Sequence, residues 1–309
     1  MANILLRSKR YEMIDETGME SAILTLSVNG SAIYTVTKNA LVEADRIVFE
    51  ISELCRDYIE HDITSSDKHQ TVSISGSVVK YPDLDGGGTS LGTETFSHTG
   101  YDGYGEFSDG INPTFTTSNF AMQSNLDIYL PDNTASYIPV NYGDTSYDIS
   151  TSFADGGTIT IGSKTFTVHR ICDPKYDPTL VTFVNKYGAK QEMYFFHVRR
   201  ESLSVKAETF KRGLYDHTTN SYDTNSHQKR TFNAQGNETL SLNTDFVRDG
   251  YNEAIKELLL SEYVWATIDG TIYPVRPTTS SLAYKTEANE KLIQYTIDFE
   301  YANDLINVV

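Results

Sequence analysis

Cysteine is scarce in this sequence, and the two that occur, Cys55 and Cys172, lie far apart. Two isolated cysteines form neither a zinc-ligand pair nor a disulfide framework. Long apolar runs are also missing, because no stretch approaches the ~18 apolar residues that a membrane-spanning helix requires. The opening residues carry only a short apolar run at 4–6, too short for the apolar region of a secretory signal. We therefore expect a chain that folds in a cytoplasm and does not insert into a membrane.

Local motifs that carry chemistry are equally sparse. The seven histidines form no HxH or HExxH spacing, and the cysteines form no CxxC. The three glycines at 86–88 are followed by neither a GK[ST] nor a helical pattern, which excludes a P-loop. A catalytic triad assembled from distant segments would leave no local signature. From these patterns we expect no enzyme, no cofactor and no metal site.

Basic residues are too few to balance the acidic ones. The sequence has 25 Lys and Arg against 42 Asp and Glu, a formal net charge of −17. A field of that sign repels phosphate, which argues against tight binding of duplex DNA. The same repulsion suits a wall past which DNA must slide without adhering, so passage of DNA through an assembly of this chain stays open.

Aromatic residues are what the sequence has in abundance. It contains 21 Tyr and 14 Phe but a single Trp. Tyr and Phe suit pleated, half-buried strands, and Tyr is also enriched at protein interfaces. The length of 309 residues fits about two domains on a prior of ~150 residues each. The composition therefore predicts a β-rich chain that belongs to an assembly.

Hydrophobic periodicity predicts a series of hairpins. At 22–37, alternating apolar residues flank Asn29-Gly30, a pair typical of a type I′ hairpin turn. At 264–275 a second hairpin is predicted, with Asp269-Gly270 at its turn. Two further hairpins are predicted at 158–168 and 180–198, and one strictly alternating strand is predicted at 292–302.

Three- and four-residue spacing predicts two amphipathic helices, at 46–59 and 249–261. Cys55 falls on the apolar stripe of the first helix and is expected to be a buried thiol. The expected fold class is mainly β (α+β), with two β-sandwich-like units that are each flanked by one helix. The units are expected to be domains 1–177 and 178–309. Their similar order of elements leaves open either a duplication or two unrelated α+β domains.

Residues 82–118 are rich in Gly, Asp, Ser and Thr and show no apolar period, which predicts a long surface loop inserted in the first domain. A second exposed loop is predicted at 216–230. Three aromatic residues of the first loop are candidates for contact with a host glycan: Tyr101, Tyr104 and Phe107. Three of its acidic residues could bind a cation, although a solvated loop tip is favoured: Asp102, Glu106 and Asp109.

The segment 186–212 is locally basic in this acidic chain. One interpretation is a strand pair with a solvated face. The other is an interface that docks onto an acidic neighbouring surface, such as another copy of the protein. The candidate interface residues are Lys186, Lys190, Arg199, Arg200, Lys206, Lys211 and Arg212.

Several segments resemble virion structural proteins of tailed phages that infect Bacteroidetes and marine bacteria. In the second half these are TFVNKYGAKQEMYFF (182–196) and ESLSVKAETFKR (201–212). The N-terminal likeness is AIYTVTKNAL (32–41) followed by EISELCRDYI (50–59), and the C-terminal likeness is the segment 280–309. The resemblance covers roughly 1–80 and 178–309 and supplies no catalytic residues.

The resemblance implies a component of the virion, assembled in the cytoplasm of the host bacterium. Tail-tube and hub proteins are commonly β-sandwiches flanked by a helix, an analogy at the level of fold. The leading hypothesis is a tail, tail-tip or baseplate protein that forms a ring with copies of itself and contacts other virion proteins. The alternatives are a host-recognition or carbohydrate-binding module and a hydrolase that acts on the cell envelope.

Overall fold

The computed structural model of the chain describes residues 1–41, 46–116, 120–142, 144–285 and 293–306. Within these ranges the structure contains twenty β-strands and two α-helices. The mainly β fold expected from the sequence is therefore confirmed. Neither helix of the described ranges is long and apolar enough to cross a membrane.

The elements follow one another along the chain in this order. The early strands are β1 (Ala2–Leu5), β2 (Tyr11–Asp15), β3 (Ser21–Val28), β4 (Ser31–Asn39), β5 (Arg46–Glu50), β6 (Thr71–Tyr81), β7 (Gly92–Tyr101) and β8 (Thr114–Phe115), with α1 (Ser52–Arg56) after β5. The middle strands are β9 (Asp127–Pro131), β10 (Ser136–Tyr142), β11 (Asp144–Ile149), β12 (Thr158–Ile161), β13 (Lys164–Ile171), β14 (Thr179–Val184) and β15 (Lys190–Phe195). The last strands are β16 (Arg200–Lys211), β17 (Lys229–Asn243), β18 (Val264–Ile268), β19 (Thr271–Pro277) and β20 (Thr296–Tyr301), with α2 (Asn252–Leu259) after β17.

Local turn chemistry forms the hairpins that the sequence predicts. β3 and β4 pair antiparallel across Asn29 (φ +51°) and Gly30 (φ +82°). β18 and β19 pair in the same way across Asp269 (φ +51°) and Gly270 (φ +80°). A type I′ turn requires positive φ at both central residues, which Asn, Asp and Gly tolerate. The hairpins expected at 158–168 and 180–198 are also present, as β12–β13 and β14–β15.

The first large sheet has six strands in the order β4-β3-β6-β7-β1-β8. Its strand β7 overturns the expectation of a surface loop at 82–118, because β7 pairs with β6 over ten residues and with β1 on its other side. The buried positions of β7 include His98 and Gly100, so no apolar alternation marks the strand in the sequence. Gly76 on β6 leaves room for the Phe96 ring, since an added Cβ would lie 2.1 Å from Phe96 Cζ. Residues 117 and 118 of the expected loop lie outside the described ranges.

The prediction of a helix at 46–59 is wrong for its first half. Residues 46–50 form β5, which pairs antiparallel with β2, and α1 covers only Ser52–Arg56. Residues four apart, such as Ile47 and Ile51, share a face in a helix and also in a strand, so that spacing alone does not discriminate. Phe49 is buried between them, which gives the two-residue period of a strand. Cys55 is fully buried, as the sequence predicts.

The second large sheet has seven strands in the order β15-β14-β18-β19-β20-β17-β16. The helix expected at 249–261 is confirmed as α2, which buries Ile255 and Leu258 against the core. The alternation expected at 292–302 is also confirmed, because Ile297 and Phe299 of β20 are buried while Thr296 and Asp298 are exposed. Residue 292 itself lies outside the described ranges.

Two main hydrophobic cores form, and they do not separate at residue 177. The larger core runs from Ala121 to Phe299 and combines β9–β13 with the seven-stranded sheet and α2. The smaller core runs from Ile4 to Val78. The expected boundary between 1–177 and 178–309 is corrected accordingly, since strands before residue 177 share their core with the C-terminal strands. The two large sheets also differ in strand order, so their topology does not support a duplication.

Candidate assembly interface

The hairpin of β16 and β17 is the longest in the described chain, paired from Arg200 opposite Ser241 to Lys211 opposite Lys229. β16 is the last strand of the seven-stranded sheet, and among the strands that the structure describes it pairs with β17 alone. All twelve residues of β16 are exposed. The side of β16 that faces away from β17 therefore carries unpaired backbone N–H and C=O groups, on which a further strand can form.

The outer part of this hairpin stands free of the body of the protein. Only residues 239–243 of β17 continue into the sheet, through pairing with β20. The outer hairpin, defined as residues 206–211 and 229–234, is exposed along its whole length and pairs with no third described strand. An isolated two-stranded ribbon is at best marginally stable in water. The outer hairpin is therefore a segment that a binding partner would stabilise.

The hairpin concentrates positive charge. Its two arms, residues 199–212 and 229–243, carry seven Lys and Arg but three Glu, a net charge of +4 that leaves −21 for the rest of the chain. The connecting loop 213–228 adds two Asp and no Lys or Arg. The basic residues of the arms are Arg199, Arg200, Lys206, Lys211, Arg212, Lys229 and Arg230. The arms are thus a basic element on a strongly acidic protein.

An apolar strip runs along one face of the same hairpin. It consists of Leu203, Val205 and Leu305, which are 54%, 61% and 49% exposed. Leu305 follows β20 and lies over Gly236, where an added Cβ would come within 2.8 Å of its Cδ2. Large aliphatic side chains exposed side by side in this way mark contact surfaces more often than isolated ones do.

The outer hairpin carries a second apolar feature. The rings of Phe210 and Phe232 meet edge to face with their centroids 5.7 Å apart. Each of the two residues is 45% exposed. This cross-strand pair was not predicted from the sequence, because Phe232 lies beyond the polar loop and no hairpin was expected there.

Five of the seven candidate interface residues lie on the hairpin. Arg200, Lys206 and Lys211 are exposed, and Arg212 is half-buried with its Nε donating to the carbonyl of His227 at 3.2 Å. Arg199 is already paired within the chain, with Glu201 at 2.9 Å and Asp269 at 3.3 Å.

The other two candidates, Lys186 and Lys190, are not on an outer interface. Lys190 is 3% exposed, and its Nζ donates to the carbonyls of Asp62 and Ser65 at 2.9 Å each. Lys186 Nζ lies 3.5 Å from carboxylate oxygens of both Glu106 and Asp109. Lys186 therefore does dock onto acidic side chains, but they belong to the same chain. A linear sequence could not show this, because the partners are about 80 or more residues away.

The acidic run 102–109 binds the protein's own cations. Asp102 Oδ1 accepts from Arg56 Nε at 2.7 Å, and Asp102 Oδ2 lies 2.9 Å from His61 Nε2. Burial alone would raise the pKa of Asp102, but the hydrogen bonds and charges of His61 and Arg56 outweigh it and hold that pKa below its ordinary value. Lys256 Nζ donates to Glu106 Oε1 at 2.7 Å. We call this set of contacts the ionic joint, since it ties α1, on the smaller core, through the run 102–109 to α2.

The proposed glycan-binding aromatic cluster does not form. Tyr101 is 5% exposed and packs with Met122 and Ala189. The Tyr104 ring lies under the Arg7 guanidinium, 5.1 Å from ring centroid to Cζ, and its hydroxyl is buried. Phe107 alone is fully exposed. The recognition hypothesis therefore loses the surface on which it depended, because one exposed ring is not a stacking platform.

One catalytic spacing does occur, a GxSxG at 88–92 (GTSLG). In a nucleophile elbow the serine sits between a strand and a following helix. Here Ser90 is exposed, accepts from the backbone N–H of Gly92 at 3.1 Å, and is followed by strand β7. The local geometry is a surface turn and does not resemble an elbow.

Burial shifts the pKa of two further titratable groups, the half-buried Lys164 and the buried Glu257. Lys164 Nζ donates to the carbonyls of Ala121 and Gln123 at 3.2 and 2.6 Å, and burial lowers the pKa of Lys164 to about 8. Glu257 is 1% exposed, and burial raises its pKa. No group of three or more His, Cys, Asp or Glu in the described ranges is arranged to hold a metal ion.

No protein family, no curated protein and no solved structure matches this chain.

Proposed function

We propose that this protein is a structural component of a tailed-phage virion, in the tail, tail tip or baseplate, and that it acts through its subunit interfaces. The observation that carries the proposal is the exposed hairpin β16–β17, with a free edge strand, a basic character and an apolar strip. Surfaces of this kind serve association between chains more readily than binding of small molecules.

Sequence resemblance also supports the proposal, because the segments that resemble phage virion proteins include the one that forms β16.

The distribution of charge supports the same proposal. Outside the hairpin arms the chain carries a net charge of −21. A surface of that sign would repel DNA, so an assembly of this protein could enclose passing DNA without holding it.

Localisation in intact particles tests the proposal. We expect the protein to co-purify with phage particles through a density gradient and to appear at a fixed copy number by quantitative mass spectrometry. Cryo-EM of the same particles should then place it in the tail or at its tip. Its absence from purified particles of the phage that encodes it would refute the proposal.

A further inference from the structure

The outer hairpin contains no buried residue in the single chain. Its residues 206–211 and 229–234 are exposed, and no described side chain from elsewhere covers its ring pair Phe210–Phe232 with a further aromatic contact. Ordering twelve residues costs conformational entropy that a free ribbon recovers only in part. A partner seated along β16 would recover it through backbone hydrogen bonds and burial of the apolar strip.

Charge indicates what that partner is. The hairpin arms have a net charge of +4, whereas the rest of every copy has −21. An acidic surface of another copy is therefore electrostatically complementary to the arms. Nucleic acid is a poorer fit, because Glu201, Glu208 and Glu238 interrupt the basic residues and the surrounding chain repels phosphate.

The same charges decide the geometry of the contact. In a symmetric dimer made through this hairpin alone, two sets of arms that each have a net charge of +4 would face each other. A head-to-tail contact, in which the hairpin meets a different and acidic patch, avoids that repulsion. Head-to-tail contacts generate rings when the rotation closes and filaments when it does not.

We infer that the β16 edge and the apolar strip of one copy dock onto an acidic surface of a second copy of this chain, head to tail. The inference names the partner of the surface on which the proposed function relies, and its interpretation as an assembly contact rests on that function.

Sedimentation velocity over a concentration series tests the contact with the full chain. We expect concentration-dependent oligomers that weaken as salt increases, because part of the attraction is between exposed charges. The double variant Lys206→Glu/Lys211→Glu should raise the dissociation constant by about tenfold or more, since each reversal turns an attraction into a repulsion. The control Lys9→Glu/Lys175→Glu makes the same change in net charge at exposed sites off the hairpin. It should change the dissociation constant by less than about twofold.

A second pair of variants tests the apolar part. Leu203→Ser/Val205→Ser should weaken association, while Leu91→Ser/Ile111→Ser, which alters exposed apolar residues elsewhere, should not. Circular dichroism of each variant establishes that it is folded. Oligomers that the hairpin variants leave intact would overturn the inference, and so would a wild-type chain that stays monomeric up to its solubility limit. Binding of a duplex oligonucleotide that depends on Lys206 and Lys211, without self-association, would also overturn it.

The outcomes separate this inference from the proposed function. A chain that is monomeric in solution but present in particles keeps the virion role and loses the contact with itself. A chain that associates through the hairpin but is missing from particles keeps the contact and loses the virion role.

Discussion

Asp102→Asn in the ionic joint is expected to lower the free energy of unfolding. The Asp102 side chain is 5% exposed and is held by Arg56, which is 32% exposed, and by His61, which is 1% exposed. Removing one partner of a fully buried ion pair costs about 3–5 kcal/mol, because the remaining charge is left uncompensated. Arg56 reaches solvent and also pairs with Glu262, so we expect a smaller loss of about 2–3 kcal/mol in the free energy of unfolding.

Asp15→Asn is the matched control. Asp15 also pairs with an arginine, Arg46, at 2.6 and 2.9 Å, but the two side chains are 58% and 55% exposed. Solvent screens a pair of this kind, so its loss should leave the urea midpoint almost unchanged. Both variants make the same chemical change, and burial is the principal difference between them.

The pH dependence of Asp102→Asn follows from the sign of the shift. The pKa of Asp102 is lowered by folding from its ordinary value of 3.8. The carboxylate therefore contributes stability that is fully present above that value and is lost as the pH falls through the folded-state pKa. The gap between wild type and Asp102→Asn should be constant near neutral pH and should close in acid.

Urea unfolding followed by fluorescence and by circular dichroism measures this effect. The single Trp, Trp265, is 9% exposed in β18, a central strand of the seven-stranded sheet, so its fluorescence reports unfolding of that sheet. Circular dichroism reports strands of both cores. Equal midpoint shifts for Asp102→Asn and Asp15→Asn would refute the reasoning, because burial would then have no part in the strength of the joint.

Three further predictions follow from the first sheet and from the cysteines. Gly76→Ala should destabilise the protein by about 1–3 kcal/mol through overpacking against the Phe96 ring, and Phe96→Leu in the same chain should restore part of the loss in thermal unfolding. Replacing 84–110 with a short Gly/Ser linker should abolish soluble expression because it removes β7 from the centre of the sheet, and a folded deletion variant would contradict that pairing. The exposed Cys172 should react with a thiol reagent in the native protein, whereas the buried Cys55 should not, since burial raises the Cys55 pKa to about 12. Two fast-reacting thiols would show that α1 is not packed as described.

The parts of the fold that could be predicted are those set by neighbouring residues. Asn29-Gly30 and Asp269-Gly270 specify their turns because few other residues tolerate positive φ at both positions. β20 was predictable because its buried face is apolar at every second residue. β7 was not, since His98 and Gly100 occupy buried positions that a pattern of apolar residues cannot reveal.

The candidate interface was only partly predictable for a related reason. Lys186 and Lys206 look alike in the sequence, as basic residues of one segment. One is neutralised by Glu106 and Asp109 after folding, and the other stays in solvent. Which of the two happens depends on distant residues, so the composition of the segment predicts a docking surface but not which cations remain for it.

The basic residues fall into two groups, one paired inside the chain and one exposed on the hairpin, and this distribution makes the charge of the molecule asymmetric. Arg56, Lys186 and Lys256 are used inside the chain, where they neutralise the acidic run 102–109. Seven of the 25 basic residues lie in the hairpin arms, whereas the rest of the chain has a net charge of −21. Under the proposed contact, the basic hairpin of one copy would meet an acidic surface of the next, and the reverse orientation would bring like charges together. A contact of this kind would repeat head to tail, which is the geometry of rings and tubes with one direction.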